Sequence, residues 1–561
     1  MNFSKSAFLF LILFAFLKTA DAQLELVPVS HPVYDFLKRM QLKGMVENYN
    51  SANIPVSRKE VADYLVNLSS HPVKLAAIDK QFLSDYKVEF EYEMTGESKN
   101  QESLFSDFST GKIFKDNKQK YIYNYLDSNA TFFLDVLGNI SHRESNGDSI
   151  KVNSITLGEI GFRLRGTLFN SLGYYLRASN GQKLKGEVKD VLFAANTDPK
   201  LHSNTKFVNE NKNFDTFEGY IRYQTKTNWL ALTIGREALN NGYGYIDKMF
   251  LSNNAVPFDF IKFDLNYKAL KYSFVYGAIK GDSMGIDMKW KNIATHRLDV
   301  NLSRYFKFGL TETVISSGSP FNLTYLNPLN FLISADLNTG AANTTQSNSL
   351  LGIDFEVNPF NNFAFQGTLL IDDINLSTIS DTGYLSNENK FGYQIGAIWT
   401  EAFTIPNITL ALEYTRLNPF VYSHRSNKDQ YTHWGLSLGH ALPPNSDEIA
   451  AKLKIDVTSR IKLDLLFQYQ RSGDGFEYDQ YGNIITNWGG NINVGSLDFN
   501  HQNLFLEGHR INRSILTANF QIQPIRQYYL MIKYQYKISD SKYLKQTFKD
   551  SFFFVTAAVD F

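Results

Sequence analysis

From about residue 130 to residue 561 the chain alternates apolar and polar side chains with a period of two, and this limits the available folds severely. In residues 159–168, Ile160, Phe162, Leu164 and Leu168 are apolar while Glu159, Arg163, Arg165 and Thr167 alternate with them. The pattern recurs at 217–223 (Phe217, Ile221 and Tyr223 against Glu218 and Arg222), at 408–415, at 461–470 and at 528–537. Successive side chains of an extended strand point to opposite faces, so each stretch has one apolar and one polar face. Soluble sandwiches alternate as well. Here the polar face is rich in Arg, Lys and Glu and the apolar face ends in aromatics, which matches lipid outside and a wet, charged lumen inside. The expected fold is an all-β transmembrane barrel of antiparallel strands.

The connections alternate too. Asn170-Ser171, Lys226-Thr227-Asn228, Tyr267-Lys268, residues 358–362 and Pro524 mark short turns, whereas 182–213, 237–257, 318–347, 373–390 and 472–509 are long, polar and rich in Asn. With roughly 12 residues per strand, a hairpin with its turn and loop takes about 48 residues, so this region holds about 18 strands. A direct tally gives about nineteen candidates. The short–long alternation breaks between Pro419 and Glu448, and since a bacterial single-chain barrel has an even count, one assignment there is expected to fail.

Both ends agree with export to an outer membrane. Lys5 precedes an apolar run over residues 7–17, followed by Lys18 and Ala20-Asp21-Ala22. This is the layout of a secretory signal peptide over residues 1–22, with cleavage expected after Ala22. The run is too short to span a bilayer, which takes roughly 20 residues. At the other end Phe553, Val555, Ala557, Val559 and Phe561 share one strand face, and Thr556, Ala558 and Asp560 the other, with Phe554 the exception. That strand resembles the assembly signal of bacterial outer-membrane proteins. Its expected partner is a wall strand starting near Thr131-Phe132-Phe133-Leu134-Asp135-Val136, because closure requires every edge to pair.

Composition narrows the class further. Aromatics are 15% of the chain, with 45 Phe and 32 Tyr, as interfacial girdles require. Acidic and basic residues balance at 56 each, so nothing points to nucleic acid. With no cysteine, lipoprotein anchoring, disulfides, thiolate metal sites and cysteine nucleophiles are excluded.

Ahead of the barrel, residues 23–88 read as a small helical unit on the periplasmic side. Val33, Phe36, Leu37 and Met40 form one stripe ending at Gly44. Ser57 and Glu60 form a capping box before Val61, Leu65 and Leu68, and Leu75, Ile78, Phe82 and Tyr86 follow at helical spacing. Residues 89–129 read as a linker with one short strand, and 130–561 as the barrel.

An ordered set of short motifs runs through the loops and their flanks. It comprises Gly235-Arg236-Glu237, Asn241-Gly242-Tyr243-Gly244-Tyr245, Leu251-Ser252-Asn253-Asn254-Ala255-Val256-Pro257, Ser319-Pro320 and Tyr325-Leu326-Asn327-Pro328. Gly352-Ile353-Asp354, Leu370-Ile371-Asp372-Asp373, Glu413-Tyr414-Thr415-Arg416, Asn418-Pro419 and Tyr422-Ser423-His424 come next. Tyr431-Thr432-His433-Trp434-Gly435, Leu438-Gly439-His440 and Pro443-Pro444-Asn445-Ser446-Asp447 complete it. In this order and spacing the series resembles the capsule-assembly Wzi family of outer-membrane proteins, and Pro55-Val56-Ser57-Arg58-Lys59-Glu60 is similar to that family's opening segment. One departure is Pro443, where a glycine is expected.

The resemblance implies a monomeric barrel of about 18 strands with a periplasmic helical bundle, acting as a lectin-like surface protein that holds or organises capsular polysaccharide. Its other implied surroundings are outer-membrane lipids, lipopolysaccharide and the barrel-assembly machinery, with no cofactor or metal. Sugar recognition needs aromatic faces beside carboxylates, amides and guanidinium groups. The candidates are Arg236, Tyr243, Tyr245, Tyr325, Asp372, Asp373, Arg416, Tyr422, Arg425, His433 and Trp434. An acidic capsule favours Arg236, Arg416, Arg425 and Lys428. Two competing readings stand beside this one: girdle aromatics with solvated loop charges, and a charge network of Arg236, Glu237, Asp372, Asp373, Glu413 and Arg416 across the lumen or plugging it. A pore is the alternative function, and a part in another surface machine such as gliding motility is a third. Catalysis has little support, since His424, His433 and His440 lack helical zinc spacing and no Gly-x-Ser-x-Gly elbow or phosphate-binding glycine loop occurs. Asp372 and Asp373 are strand neighbours expected to face opposite ways.

Overall fold

A computed structural model describes residues 23–71, 75–105, 110–281, 290–318, 321–332, 347–373, 390–424, 428–495 and 503–561. The expected signal peptide lies outside the described residues.

Eighteen antiparallel strands form one closed wall. They are β1 (Thr131–Gly147), β2 (Asn153–Leu168), β3 (Leu172–Lys185), β4 (Phe214–Gln224), β5 (Leu230–Glu237), β6 (Phe258–Tyr267), β7 (Leu270–Lys280), β8 (Trp290–Asn301) and β9 (Phe306–Ser317). The second half comprises β10 (Ser347–Val357), β11 (Phe363–Asp373), β12 (Lys390–Thr400), β13 (Ile408–Leu417), β14 (Ser446–Thr458), β15 (Ile461–Ser472), β16 (Ile511–Ile525), β17 (Tyr528–Ser541) and β18 (Gln546–Asp560). The count is even because the described residues between Pro419 and β14 add no wall strand. Among them Thr432–His433 forms a two-residue ladder with Leu436–Ser437.

Alternation decides which way each side chain points. Ile160, Phe217, Ile395 and Ile449 lie 68, 52, 61 and 54% exposed on the outer wall. Arg165, Arg222, Lys262, Asp264, Lys307 and Glu356 point inward and are buried. Charges can be buried there because they meet opposite charges, as Lys262 meets Asp264 at 3.1 Å and Arg222 meets Asp264 at 3.5 Å.

Closure occurs where the sequence placed it. β18 pairs with β1 from Asp560 opposite Leu137 to Asp550 opposite Gly147. Phe561 adds a reciprocal pair: its N–H donates to the Val136 carbonyl at 2.9 Å, and the Val136 N–H donates back at 2.5 Å. Beyond Phe561 the same edge of β1 is taken up by Tyr123–Leu126, with Tyr123 opposite Leu134 and Leu126 opposite Thr131. Two segments distant in sequence thus satisfy one edge.

The N-terminal helices are α1 (Val33–Leu42), α2 (Arg58–Ser69) and α3 (Ala77–Glu89). Gly44, at φ 71°, follows α1 as expected of a helix stop, and Ser57 Oγ accepts the Glu60 N–H at 3.2 Å. Phe36, Leu37, Met40, Val61, Leu65, Leu68, Phe82 and Tyr86 form their common core. The stretch after α3 holds more structure than one short strand. It has a helical turn at Glu91–Thr95, and Gln101–Ser103 runs parallel to Gln119–Tyr121 before the strand against β1.

The helical unit seals the end of the barrel that carries the short turns. Arg460, in the β14–β15 turn, and Arg526, in the β16–β17 turn, converge on Asp85 of α3 at 3.1 and 2.7 Å. Lys43 bridges Asp79 and Glu401, 2.6 Å from each. Asp35 of α1 pairs with Lys454 of β14. Burial alone would raise the Asp35 carboxyl, but Lys454, Lys452 and Lys462 outweigh it and hold it at about 2.

Candidate functional site

The lumen is crossed by backbone from both ends. From the short-turn end, Asn53 reaches inward and its amide donates to Ser273 Oγ at 2.8 Å and to Asp299 at 3.3 Å. Lys307 donates to the Tyr49 carbonyl at 2.6 Å, and Gln41 donates to Glu356 at 2.7 Å. From the long-loop end, the β5–β6 connection descends to meet this segment. Asn53 and Ile54 pair antiparallel with Asn241 and Asn240, and the Gly242 N–H donates to the Ala52 carbonyl at 2.8 Å.

Buried charges lock this bridge to the wall. Asp354 accepts both terminal nitrogens of Arg297 at 3.0 Å, and its Oδ2 also accepts the Tyr243 N–H at 3.0 Å. Arg297 is fully buried and also meets Asp299 at 2.7 Å. Glu413 receives the N–H groups of Tyr245, Ile246 and Asp247 at 3.2, 3.4 and 3.4 Å, and Gln394 donates to it at 2.9 Å. Three successive donors aimed at one carboxylate fix the backbone turn around it. Gly244 supplies the turn with φ 143°, and a Cβ there would lie 2.1 Å from the Asp247 carbonyl oxygen. Gly352 leaves room for the plug on the wall side, where a Cβ would fall 2.0 Å from the Phe250 ring. Lys248 closes the loop by donating to the Gly242 carbonyl at 2.5 Å, and burial, with Arg297 adding to it, lowers its ammonium to about 8.

The β13–β14 connection lies over this first layer. Tyr422 Oη donates to the Met249 carbonyl at 2.6 Å, Tyr431 Oη to the Phe250 carbonyl at 3.2 Å, and the Ser252 N–H to the Leu438 carbonyl at 2.8 Å. Asp372 of β11 accepts the Tyr422 N–H at 2.5 Å. Met249, Phe250, Leu251, Val421, Leu438 and Leu442 pack with wall residues Ile293, Ile315, Leu350 and Leu370 into one apolar core. The inside of a membrane barrel therefore carries a hydrophobic core of its own.

The eleven candidate residues do not form one cluster. Tyr243, Tyr422, Asp372 and His433 are buried within or against the plug. His433 accepts the Lys280 N–H at Nδ1 at 2.8 Å, and burial, then Lys291, lowers its imidazole to about 3, which suits an acceptor. Tyr325 is buried in a separate group with Phe274, Tyr276 and Leu332. Tyr245 and Trp434 are half-buried, Tyr245 in the plug and Trp434 on the loop above it. Arg236 and Arg416 lie elsewhere. Their strand parity puts them on the outer wall at the long-loop rim, so they are no part of a network across the lumen. Arg236 holds Asp259 at 2.6 and 2.9 Å, and Arg416 lies 3.6 Å above the Phe505 ring. Of that proposed network, Glu413 and Asp372 do anchor the plug, while Glu237 is buried on the inner wall. Arg425 and the side chain of Asp373 lie outside the described residues. Pro443, the unexpected proline, precedes a turn in which Asn445 takes φ 53° and donates to the Trp488 and Glu507 carbonyls at 2.9 and 3.0 Å.

Asn53 and Arg297 had no individual signal in the sequence, since each looks like any other polar residue until the plug is in place; Asp354 stood in the Gly352-Ile353-Asp354 motif, but without a role. Among the described residues no group of three His, Asp or Glu side chains is arranged to hold a metal ion.

An apolar outer wall, a charged inner wall and full closure define a transmembrane β-barrel of the outer-membrane class. The family model for capsule assembly protein Wzi matches residues 131–509, and the chain belongs to that family. Among solved structures, the chain is similar to Escherichia coli Wzi, described as a carbohydrate-binding β-barrel involved in group 1 capsule assembly. The identity is 13%, the TM-score 0.56, and the likeness covers 96% of this chain and 99% of that one; it bears on the fold. Pseudomonas aeruginosa OprD is also similar, at 8% identity and a TM-score of 0.43 over 76% of this chain and 95% of that one. No curated protein sequence matches.

Proposed function

We propose that this protein is a non-catalytic barrel that holds or organises capsular polysaccharide at the outer face of the outer membrane, in capsule assembly. The observation that carries this reading over a pore is the backbone bridge of Asn53–Ile54 with Asn240–Asn241 across the lumen, locked by Asp354 and Glu413. A barrel built for diffusion gains nothing from that bridge, whereas a surface binder gains rigid loop bases. His433 and His440 each hold a loop through Nδ1, which accepts the backbone N–H of Lys280 and of Leu442. The same reading takes the chain as a monomer, cleaved after Ala22 and folded by the barrel-assembly machinery. Its helical unit faces the periplasm, and the outward Arg236 and Arg416 lie among lipopolysaccharide headgroups. Deleting the gene and staining cells for capsule tests it: capsule is expected to be shed into the medium, and unchanged retention on the cell would remove the proposal.

A further inference from the structure

Phe554 breaks the alternation of the closing strand, and the structure gives it a setting. Phe552 and Phe554 share the inner face of β18 with Asp560, which pairs inward with Arg163 at 2.7 Å. Phe552 stacks on Phe193 with centroids 6.4 Å apart; Phe193 belongs to α4 (Val188–Asn196), a helix of the β3–β4 loop. That contact accounts for Phe552 as a seat for the helix. It leaves the Phe554 ring on a cavity of about 480 Å³ at the long-loop end of the barrel. Gln535, Asn153 and Asn196 line this cavity with Lys533, Lys151 and Lys189. The Gln535 amide N–H is held by Thr517 at 3.0 Å and that of Asn153 by Ser145 and the Lys151 carbonyl at 2.9 and 2.6 Å, which leaves their amide oxygens as acceptors. No carboxylate among the described residues lines it. Lys189 is paired with Glu187 at 3.1 Å, and Arg143 nearby is neutralised by Asp198 at 2.7 Å. Lys533 makes no direct ion pair among the described residues, and Asp198, already held by Arg143, attracts it only from farther off; its Nζ lies 5.3 Å from the centre of the Phe554 ring.

An apolar ring on a wet wall, an unpaired cation beside it and amides around both make a recognisable combination. The ring offers a face to the C–H side of a pyranose, the amides serve hydroxyl groups, and the ammonium serves an anion. We infer that the Phe554–Lys533 cavity is a binding site for a sugar residue carrying a carboxylate, a uronic acid within a glycan. This rests on the polysaccharide-binding reading above, and assigns to it a site outside the loops that the sequence singled out.

The test is calorimetry on the full-length protein in detergent micelles, with tetragalacturonate as the acidic probe and maltotetraose as the neutral one. The wild type is expected to bind tetragalacturonate more tightly. Lys533→Gln is expected to weaken that binding about tenfold, the loss of one charge-assisted hydrogen bond, and to leave maltotetraose unchanged. Phe554→Ala is expected to weaken both. Equal affinity of the wild type for the two probes, or an unchanged affinity in Lys533→Gln, would overturn the assignment. Failure of this site and failure of the function are separable. If the wild type binds the cell's own capsular polysaccharide while Lys533→Gln binds tetragalacturonate normally, only the site falls. If the wild type binds no capsular polysaccharide, both fall.

Discussion

Asp354 shows how one side chain can hold a loop across a barrel. Its carboxylate is fully buried and takes the Arg297 fork and the Tyr243 N–H together. Asp354→Ala leaves the Arg297 guanidinium with Asp299 as its one remaining carboxylate, beside Thr311 Oγ1 at 2.8 Å, and frees the backbone at Tyr243. It is expected to cost about 3–5 kcal/mol, the usual price of breaking a buried ion pair, read as earlier unfolding in urea. The pair Asp354→Leu with Arg297→Met is expected not to recover that loss, since buried Asp299 then loses its cation and the Tyr243 N–H its acceptor. At the mouth of the other end, Glu89 and Asp35 give a pH dependence. Burial opposes ionisation of Glu89, but His31, Arg58 and Arg526 outweigh it and hold the carboxyl at about 2; Asp35 is also held at about 2. Both lie below the unfolded values near 4. Their stabilisation is therefore full above about pH 4 and lost as pH falls towards 2. Limited proteolysis is expected to release the helical unit in that window while the barrel stays resistant; equal resistance of the helical unit at pH 7 and pH 2 would contradict it.

At the scale of elements, β18 has the largest consequence. It supplies both the Asp550–Gly147 to Asp560–Leu137 ladder with β1 and the Val136–Phe561 pair beneath it. Deleting residues 552–561 leaves β1 and β17 as two open edges in the bilayer, where unpaired backbone groups have no water to bind. Outer-membrane levels of that truncation are expected to fall to background, measured by heat-modifiable mobility of membrane fractions; normal levels would count against the closed wall. This strand was readable from sequence because its period of two carries through to Phe561. So was α2, since Ser57 and Glu60 mark its start. The tally of about nineteen strands failed between Pro419 and Glu448, because β-branched and aromatic residues such as Tyr431 and Thr432 suit a wall strand and a loop core equally well. What separates the two cases is burial of Tyr431 against Phe250, a contact between distant loops that no local pattern records.

For the whole molecule, alternation along the chain was enough to give a barrel and nearly its strand count, because lipid on one side forces a residue-by-residue choice. The interior was less legible. Polar inward positions follow the same rule whether they face water or a plug, so Glu413 and Asp372 suggested a network without revealing its partners. The pairing of Asn53 with Asn241 depends on two segments meeting inside the finished wall. The candidate binding residues suffered from the same gap: Tyr243 and Tyr422 have the composition of a sugar site and are spent on holding the loops together. A filled barrel suits the proposed role of holding a long polysaccharide at the outer surface. Affinity electrophoresis of the purified full-length protein through a gel containing the cell's own capsular polysaccharide tests that role most directly. Migration is predicted to slow with increasing polysaccharide and not with an equal mass of dextran; migration unaffected by the polysaccharide would contradict the account.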